Sequence, residues 1–221
     1  MINFFLNYSG TELLIISIAF IIAIVFALTI HEFSHSYIAC TQGDYTSVGY
    51  GRLTLNPLKH IDPIGFLCLL LFGFGWAKPV PINSKKFRNY RQGLFLTSIA
   101  GVVANLIFCF LFVGLLVIFF SNPETLENSN YFVQFIYYLL FYSAYINLGL
   151  AVFNLLPIPP LDGFNMLCSF TKGTNRVVNS LARYGYVILF ALLIFDVIDI
   201  LFAFVYSFVL PAFMSFWYCI I

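Results

Sequence analysis

Residues 13–30 (LLIISIAFIIAIVFALTI) carry no charged side chain, and that run constrains the fold more than any other feature. As a helix it is long enough to cross about 30 Å of hydrocarbon, where every backbone N–H and C=O must find its partner inside the chain. Two further uncharged runs follow at 94–120 and 131–156. The stretch 184–221 is apolar except for Asp196 and Asp199 and has the length of two helices. A shorter apolar run, 64–77, offers about 14 residues and suits a re-entrant or interfacial element better than a crossing. The overall balance agrees: 62% of residues are hydrophobic and 9% charged, against about 25% charged in a soluble domain. The expected fold is an all-α polytopic membrane protein, one domain over residues 1–221, with about five transmembrane helices and lipid as its main solvent.

The basic residues give the sidedness. Arg52, Lys59, Lys78, Lys85, Lys86, Arg88 and Arg91 lie between the first and second long runs, and Lys172, Arg176 and Arg183 follow the third. Loop 121–130 carries only Glu124 and Glu127, and the N-terminus only Glu12. If 64–77 does not cross, both basic segments share one face, and the positive-inside rule makes that face cytoplasmic. The expectation is a multi-pass plasma-membrane protein with its N-terminus outside. No basic residue precedes the first apolar run, so no cleavable signal peptide is expected. Lys85, Lys86, Arg88 and Arg91 read as contacts to anionic headgroups, and Trp76 and Trp217 as interfacial anchors. A net charge of +1 excludes a nucleic-acid reader built on a basic surface. The five cysteines are scattered without a CxxC pair and read as small buried hydrophobes.

At the inner end of the first run stands His31-Glu32-Phe33-Ser34-His35, an HExxH motif. On a helix, positions i and i+4 share a face. Two imidazoles can therefore grip one zinc ion at about 2.0–2.1 Å each, and the adjacent Glu32 can take a proton from water bound to it. The chain has three histidines and spends two of them at this spacing, at the end of a lipid-buried helix where ionisable groups are costly and usually functional. A catalytic zinc needs a third protein ligand and one open position. Glu124 and Glu127 are expected on the far side of the membrane, and Ile38 and Thr41 stand where a three-histidine pattern needs Gly and His. His60, Asp196, Asp199 and Asp162 remain. Asp162 ends the sequence Asn154-Leu-Leu-Pro-Ile-Pro-Pro-Leu-Asp162, whose prolines break the third helix and let an acidic side chain reach a buried cavity. Two crossings separate Asp162 from the histidines, which returns it to their side. Asp196 and Asp199 read as a bend between two helices, and His60 and Asp62, beside prolines, as turn residues.

HEFSH near the end of the first span and NLLPIPPLDG at the end of the third resemble the site-2 protease family of intramembrane zinc proteases. The resemblance continues in Asn56-Pro57-Leu58-Lys59-His60-Ile61-Asp62-Pro63-Ile64-Gly65 and in Ala77-Lys78-Pro79-Val80-Pro81-Ile82-Asn83. Both stretches are similar to the compact bacterial branch that lacks an inserted PDZ domain. The likeness implies a catalytic core over about 13–165 followed by C-terminal helices over about 176–221. It implies one Zn2+ held by His31, His35 and Asp162, with Glu32 as general base. Asn154 would hold the substrate backbone or the oxyanion. One departure is Ala100-Gly101-Val102, where the family usually has Ala-Gly-Pro.

The implied activity is hydrolysis of transmembrane or membrane-proximal segments of membrane-protein substrates. A substrate helix hides its backbone in its own hydrogen bonds and must unwind first. Residues 48–56 partly alternate like a strand, and a small β-hairpin-like element there, through Arg52, Leu53 and Thr54, would clamp the unwound segment on the cytoplasmic side. Two other classes compete. A non-catalytic binder would keep the fold without the complete His-Glu-His-Asp set. A metal transporter would line a continuous path with polar residues, and the spans hold few beyond Gln134, Asn105, Asn147 and Asn154.

Overall fold

The computed structural model describes residues 10–72, 75, 77–122, 126, 129–171 and 175–221. Eight α-helices are named here: α1 Gly10–Thr41, α2 Thr46–Gly49, α3 Pro63–Phe72, α4 Tyr90–Phe120, α5 Tyr131–Asn154, α6 Asp162–Phe170, α7 Arg176–Ile194 and α8 Val197–Tyr218. Five of them (α1, α4, α5, α7 and α8) are long and apolar enough to cross a membrane. The starts of α4 and α5 are set by asparagines: Asn89 and Asn130 accept hydrogen bonds from the backbone N–H of Gln92 and Val133, each satisfying an amide that the helix leaves without a carbonyl. Helix α5 ends at Asn154, before the proline-rich break. The C-terminal stretch divides at Asp196, which adopts φ +55 and is exposed together with Asp199. Glu124, Glu127, Lys172 and Trp76 lie outside the described residues.

Helices α1, α4 and α5 pack on one another and form the core. Ala19, Ala23 and Ala27 repeat along one face of α1 with no exposed surface. Such small side chains let backbones approach where lipid supplies no hydrophobic drive between helices. Helix α8 closes against the C-terminal halves of α4 and α5 by the same device. The ring of Trp217 lies over Gly114 of α4, and its indole N–H donates to Phe110 O at 3.0 Å. The ring of Tyr206 stacks on Tyr145 and its hydroxyl sits over Gly149. Trp217, expected as an interfacial anchor, is thus turned into the helix bundle. Helix α7 rests on the break after α5, where Gly185 meets Pro159 and Leu189 packs with Ile158, Leu161 and Ile198.

The segment between α1 and α4 departs most from expectation. Helix α3 has ten residues and is about 15 Å long, half of what a crossing needs. Ile61 and Ala77 form an antiparallel bridge and Lys78 N–H donates to His60 O at 2.8 Å, so the chain returns to the point at which it left. The hairpin expected over 48–56 does not form: residues 46–49 are the short helix α2, and no strand occurs at 48–56. The polar groups there are taken by local bonds instead. Arg52 N–H donates to Ser47 O, the Arg52 guanidinium to Lys59 O, and the His60 ring to Thr54 O at 2.8 Å. Asp62 caps α3 through Gly65 N–H at 2.8 Å. Lys86, expected at lipid headgroups, reaches Thr46 Oγ1 at 3.0 Å.

A Cβ at Gly114 would lie 2.4 Å from the Trp217 ring. Gly114→Ala is therefore expected to lower stability by about 1–3 kcal/mol and to shift tryptophan emission, read by thermal unfolding and fluorescence in detergent. An unchanged melting temperature and spectrum would mean that α8 is not seated on α4.

Candidate metal centre

His31 and His35 lie one turn apart on α1, face the bundle interior and are each 5% exposed. Helix α4 runs close beside them because residue 101 is glycine: a Cβ there would sit 2.5 Å from the His31 ring and 2.7 Å from His35 Nε2. The break after α5 supplies the third side chain. Pro157, Pro159 and Pro160 end the helix, Leu161 is extended, and Asp162 opens α6. Gly163 fits against the carbonyls of Leu155 and Leu156, where a Cβ would lie 2.3–2.5 Å from oxygen.

The three ligand atoms form a nearly equilateral triangle. His31 Nε2 and His35 Nε2 are 3.0 Å apart, and each is 3.1 Å from Asp162 Oδ2. One face of a tetrahedron with bonds of about 2.0 Å has edges of about 3.3 Å, so the triangle is within a few tenths of an ångström of a zinc-sized site. The ring partners fix the proton positions. His31 Nδ1 is 2.7 Å from Asn105 Oδ1, and His35 Nδ1 is 2.7 Å from the Thr97 carbonyl. The Asn105 orientation is set in turn, because its amide nitrogen donates to Asn147 Oδ1 at 2.8 Å and Ala27 O at 3.3 Å. Both Nδ1 atoms therefore carry hydrogen, and both Nε2 atoms turn lone pairs toward Asp162. Asp162 Oδ2 is buried and accepts no hydrogen bond. Three acceptors converging with no donor among them fit a cation. Among the described residues this is the one cluster of three His, Cys, Asp or Glu side chains placed to hold a metal ion.

Glu32 faces the same cavity, of about 370 Å³, and its Oε2 accepts the Val80 N–H at 2.9 Å. Asn154 also borders the cavity, with its side-chain amide donating to Leu150 O at 3.0 Å. Arg52, Leu53 and Thr54 do not line it; Ala77–Asn83 contributes Pro79, Val80 and Ile82 instead. His60 is buried away from the cluster, with its Nε2 on Thr54 O. Sequence reasoning treated Asn105 only as a polar residue in a span. The signal that could have found its role is an asparagine one helical turn after Gly101, in a run with no charge. Val80 carried no such signal.

The chain matches Peptidase family M50 over residues 19–195, well over half of its length. It belongs to that family, the site-2 proteases. Three relatives, all named as zinc metalloproteases, are similar to it. YwhC of Bacillus subtilis is 38% identical over 178 residues, which cover 79% of each chain. Rip2 of Mycolicibacterium smegmatis is 30% identical over 195 residues, 86% of this chain and 70% of the relative. MJ0611 of Methanocaldococcus jannaschii is 29% identical over 168 residues, 75% of this chain and 77% of the relative. No solved structure matches the chain. Its apolar helices make it a multi-pass membrane protein.

In this family member the His31 ring depends on Asn105. Asn105→Leu is expected to weaken metal retention by about 10–100-fold, measured as metal content after dialysis against graded chelator. Retention equal to that of the parent protein would show that the Asn105 bond does not orient the ligand.

Proposed function

We propose that this chain is a zinc-dependent intramembrane endopeptidase that cleaves transmembrane or membrane-proximal segments of membrane proteins. The observation that carries the reading is the triangle of His31, His35 and Asp162, with 3.0–3.1 Å edges and acceptor atoms only. Zinc held there would polarise a carbonyl and bring the pKa of water down toward about 7. Glu32, beside His31 and open to the same cavity, accepts the proton of the attacking water and delivers it to the leaving amine. The Val80 amide engages one oxygen of that carboxylate, which leaves the other to carry the proton. Asn154, at the edge of the cavity, is placed to donate to the substrate backbone or to the developing oxyanion.

Sidedness follows from charge and chain path. The six basic residues between α1 and α4, Arg91 in the first turn of α4, and the arginines at 176 and 183 share the face to which α1 brings His31 and His35, and that face is cytoplasmic by the positive-inside rule. The N-terminal end of α1 is then outside. The α3 excursion leaves and re-enters at the Ile61–Ala77 bridge, on the cytoplasmic side. The wall that a substrate backbone meets is Ala77–Asn83. Its Pro79 and Pro81 lack N–H groups, so it offers carbonyls more than donors. Thr54 is tied to that wall through the Thr54–His60–Lys78 bonds, and Arg52 holds the adjoining Lys59 carbonyl.

The test is zinc content together with cleavage of a labelled single-span membrane protein in detergent or vesicles. The parent protein should hold one zinc and cleave. Glu32→Gln should retain zinc and lose cleavage. His31→Ala and Asp162→Asn should lose both. Full zinc occupancy in both ligand variants, or cleavage by Glu32→Gln at the parent rate, would refute the assignment.

A further inference from the structure

We infer that Asp44, a buried carboxylate outside the metal centre, is a positioning residue for Glu32 and acts through the Ala77–Asn83 segment. The inference rests on the protease reading above for its catalytic consequence, though not for its geometry.

The segment is a strap pinned at two ends. At one end Ala77 bridges Ile61, and Lys78 N–H donates to the His60 carbonyl at 2.8 Å. At the other, Asn83 N–H donates to Asp44 Oδ2 at 2.6 Å. Between the pins lie Pro79, Val80 and Pro81. The two prolines fix their own φ angles and have no N–H, so Val80 carries the one amide donor of that triplet. That donor meets Glu32 Oε2 at 2.9 Å. The carboxylate that must move a proton is therefore oriented by a backbone group whose position depends on the two pins, and neither pin touches the metal ligands.

Asp44 is built for this load. It has no exposed surface, and each of its oxygens is engaged. Oδ1 accepts the Thr46 N–H at 3.0 Å and the Thr46 hydroxyl, while Oδ2 accepts Asn83. Lys86 reaches Thr46 Oγ1 at 3.0 Å and places its ammonium nearby. Burial by itself pushes the Asp44 carboxyl up, but the bonds from Thr46 and Asn83 and the Lys86 charge outweigh it and hold the group below the usual carboxylate range. The carboxylate thus has both oxygens engaged and no exposed surface of its own. Arg88 N–H, bonded to Gln42 O at 2.8 Å, fastens the chain beyond the strap to the turn that follows α1. Asp44 N–H is bonded to Ala39 O of α1 at 2.9 Å, so the turn that follows the helix carrying Glu32 also holds the strap that orients it.

Asp44→Asn keeps the shape and removes the charge. Thr46→Val is the milder second variant, since it removes one donor to the same carboxylate. Backbone hydrogen exchange of peptides covering 77–84 and steady-state cleavage of the labelled single-span substrate would be measured on the full-length, zinc-loaded protein. In Asp44→Asn, exchange across 77–84 should quicken at least about fivefold while peptides from α1 and α4 stay unchanged. Zinc content should hold, kcat should fall about tenfold, and KM should stay within about twofold. Thr46→Val should move both readouts in the same direction by less. Glu32→Ala, which removes the acceptor with Asp44 intact, should quicken exchange at Val80 alone. Unchanged exchange over 77–84 in Asp44→Asn would overturn the inference, whatever happens to activity. So would a loss of cleavage matched by an equal loss of folded, zinc-loaded protein. If the parent protein cleaves nothing, the protease reading fails while the exchange result still decides whether Asp44 holds the strap.

Discussion

Two imidazole lone pairs and one carboxylate oxygen meet at 3.0–3.1 Å with no hydrogen between them, and the rest of the molecule is arranged around that convergence. Left without a partner, buried acceptors cost about 1–3 kcal/mol each. Structural zinc sites in small peptides bind with about 10–16 kcal/mol. A cation would therefore turn an unfavourable convergence of acceptors into a favourable one, and that convergence is the reason to read the cluster as a metal centre. The same demand explains why glycine stands at 101 and why α5 breaks where it does. Any side chain at 101 would fill the space of the His31 ring, and an unbroken helix would carry Asp162 away from α1.

Holding polar atoms in that geometry inside an apolar bundle requires further polar atoms, each itself satisfied. Asn105 holds His31, Asn147 holds Asn105, and the Ser143 carbonyl accepts from Asn147 at 2.7 Å. The Thr97 carbonyl holds His35. Every link is buried, so each bond is stronger than it would be in water and each missing partner would be more costly. On the opposite side of Glu32, the Ala77–Asn83 strap repeats this logic with backbone donors, and its anchors His60 and Asp44 are also buried. The site is thus gripped between a side-chain network in the helix bundle and a network in the loop between α1 and α4.

Much of this was legible in the chain. Uncharged runs gave the long helices because lipid leaves the backbone no other partner. HExxH gave one face of a metal site through helical spacing, and the broken helix before Asp162 offered a third ligand, with Asp196 and Asp199 as its rivals. Alternation at 48–56 misled, because apolar spacing over a few residues does not reveal local bonds. Arg52 and His60 tie up the carbonyls of Lys59 and Thr54 and fold the segment on itself. Trp217 misled as well, since a tryptophan near a helix end can face either the lipid interface or a glycine on a neighbouring helix.

The sequence by itself determined the solvent, the number of long helices, and the pair of histidines with their glutamate. These depend on composition and on contacts within one or two turns. Only the tertiary structure decided that Asn105 orients His31, that Val80 meets Glu32, and that Asp44 anchors the loop between them. Those contacts join residues 74, 48 and 39 positions apart. No local pattern encodes them, because their energy is realised only when helices and loops are already packed.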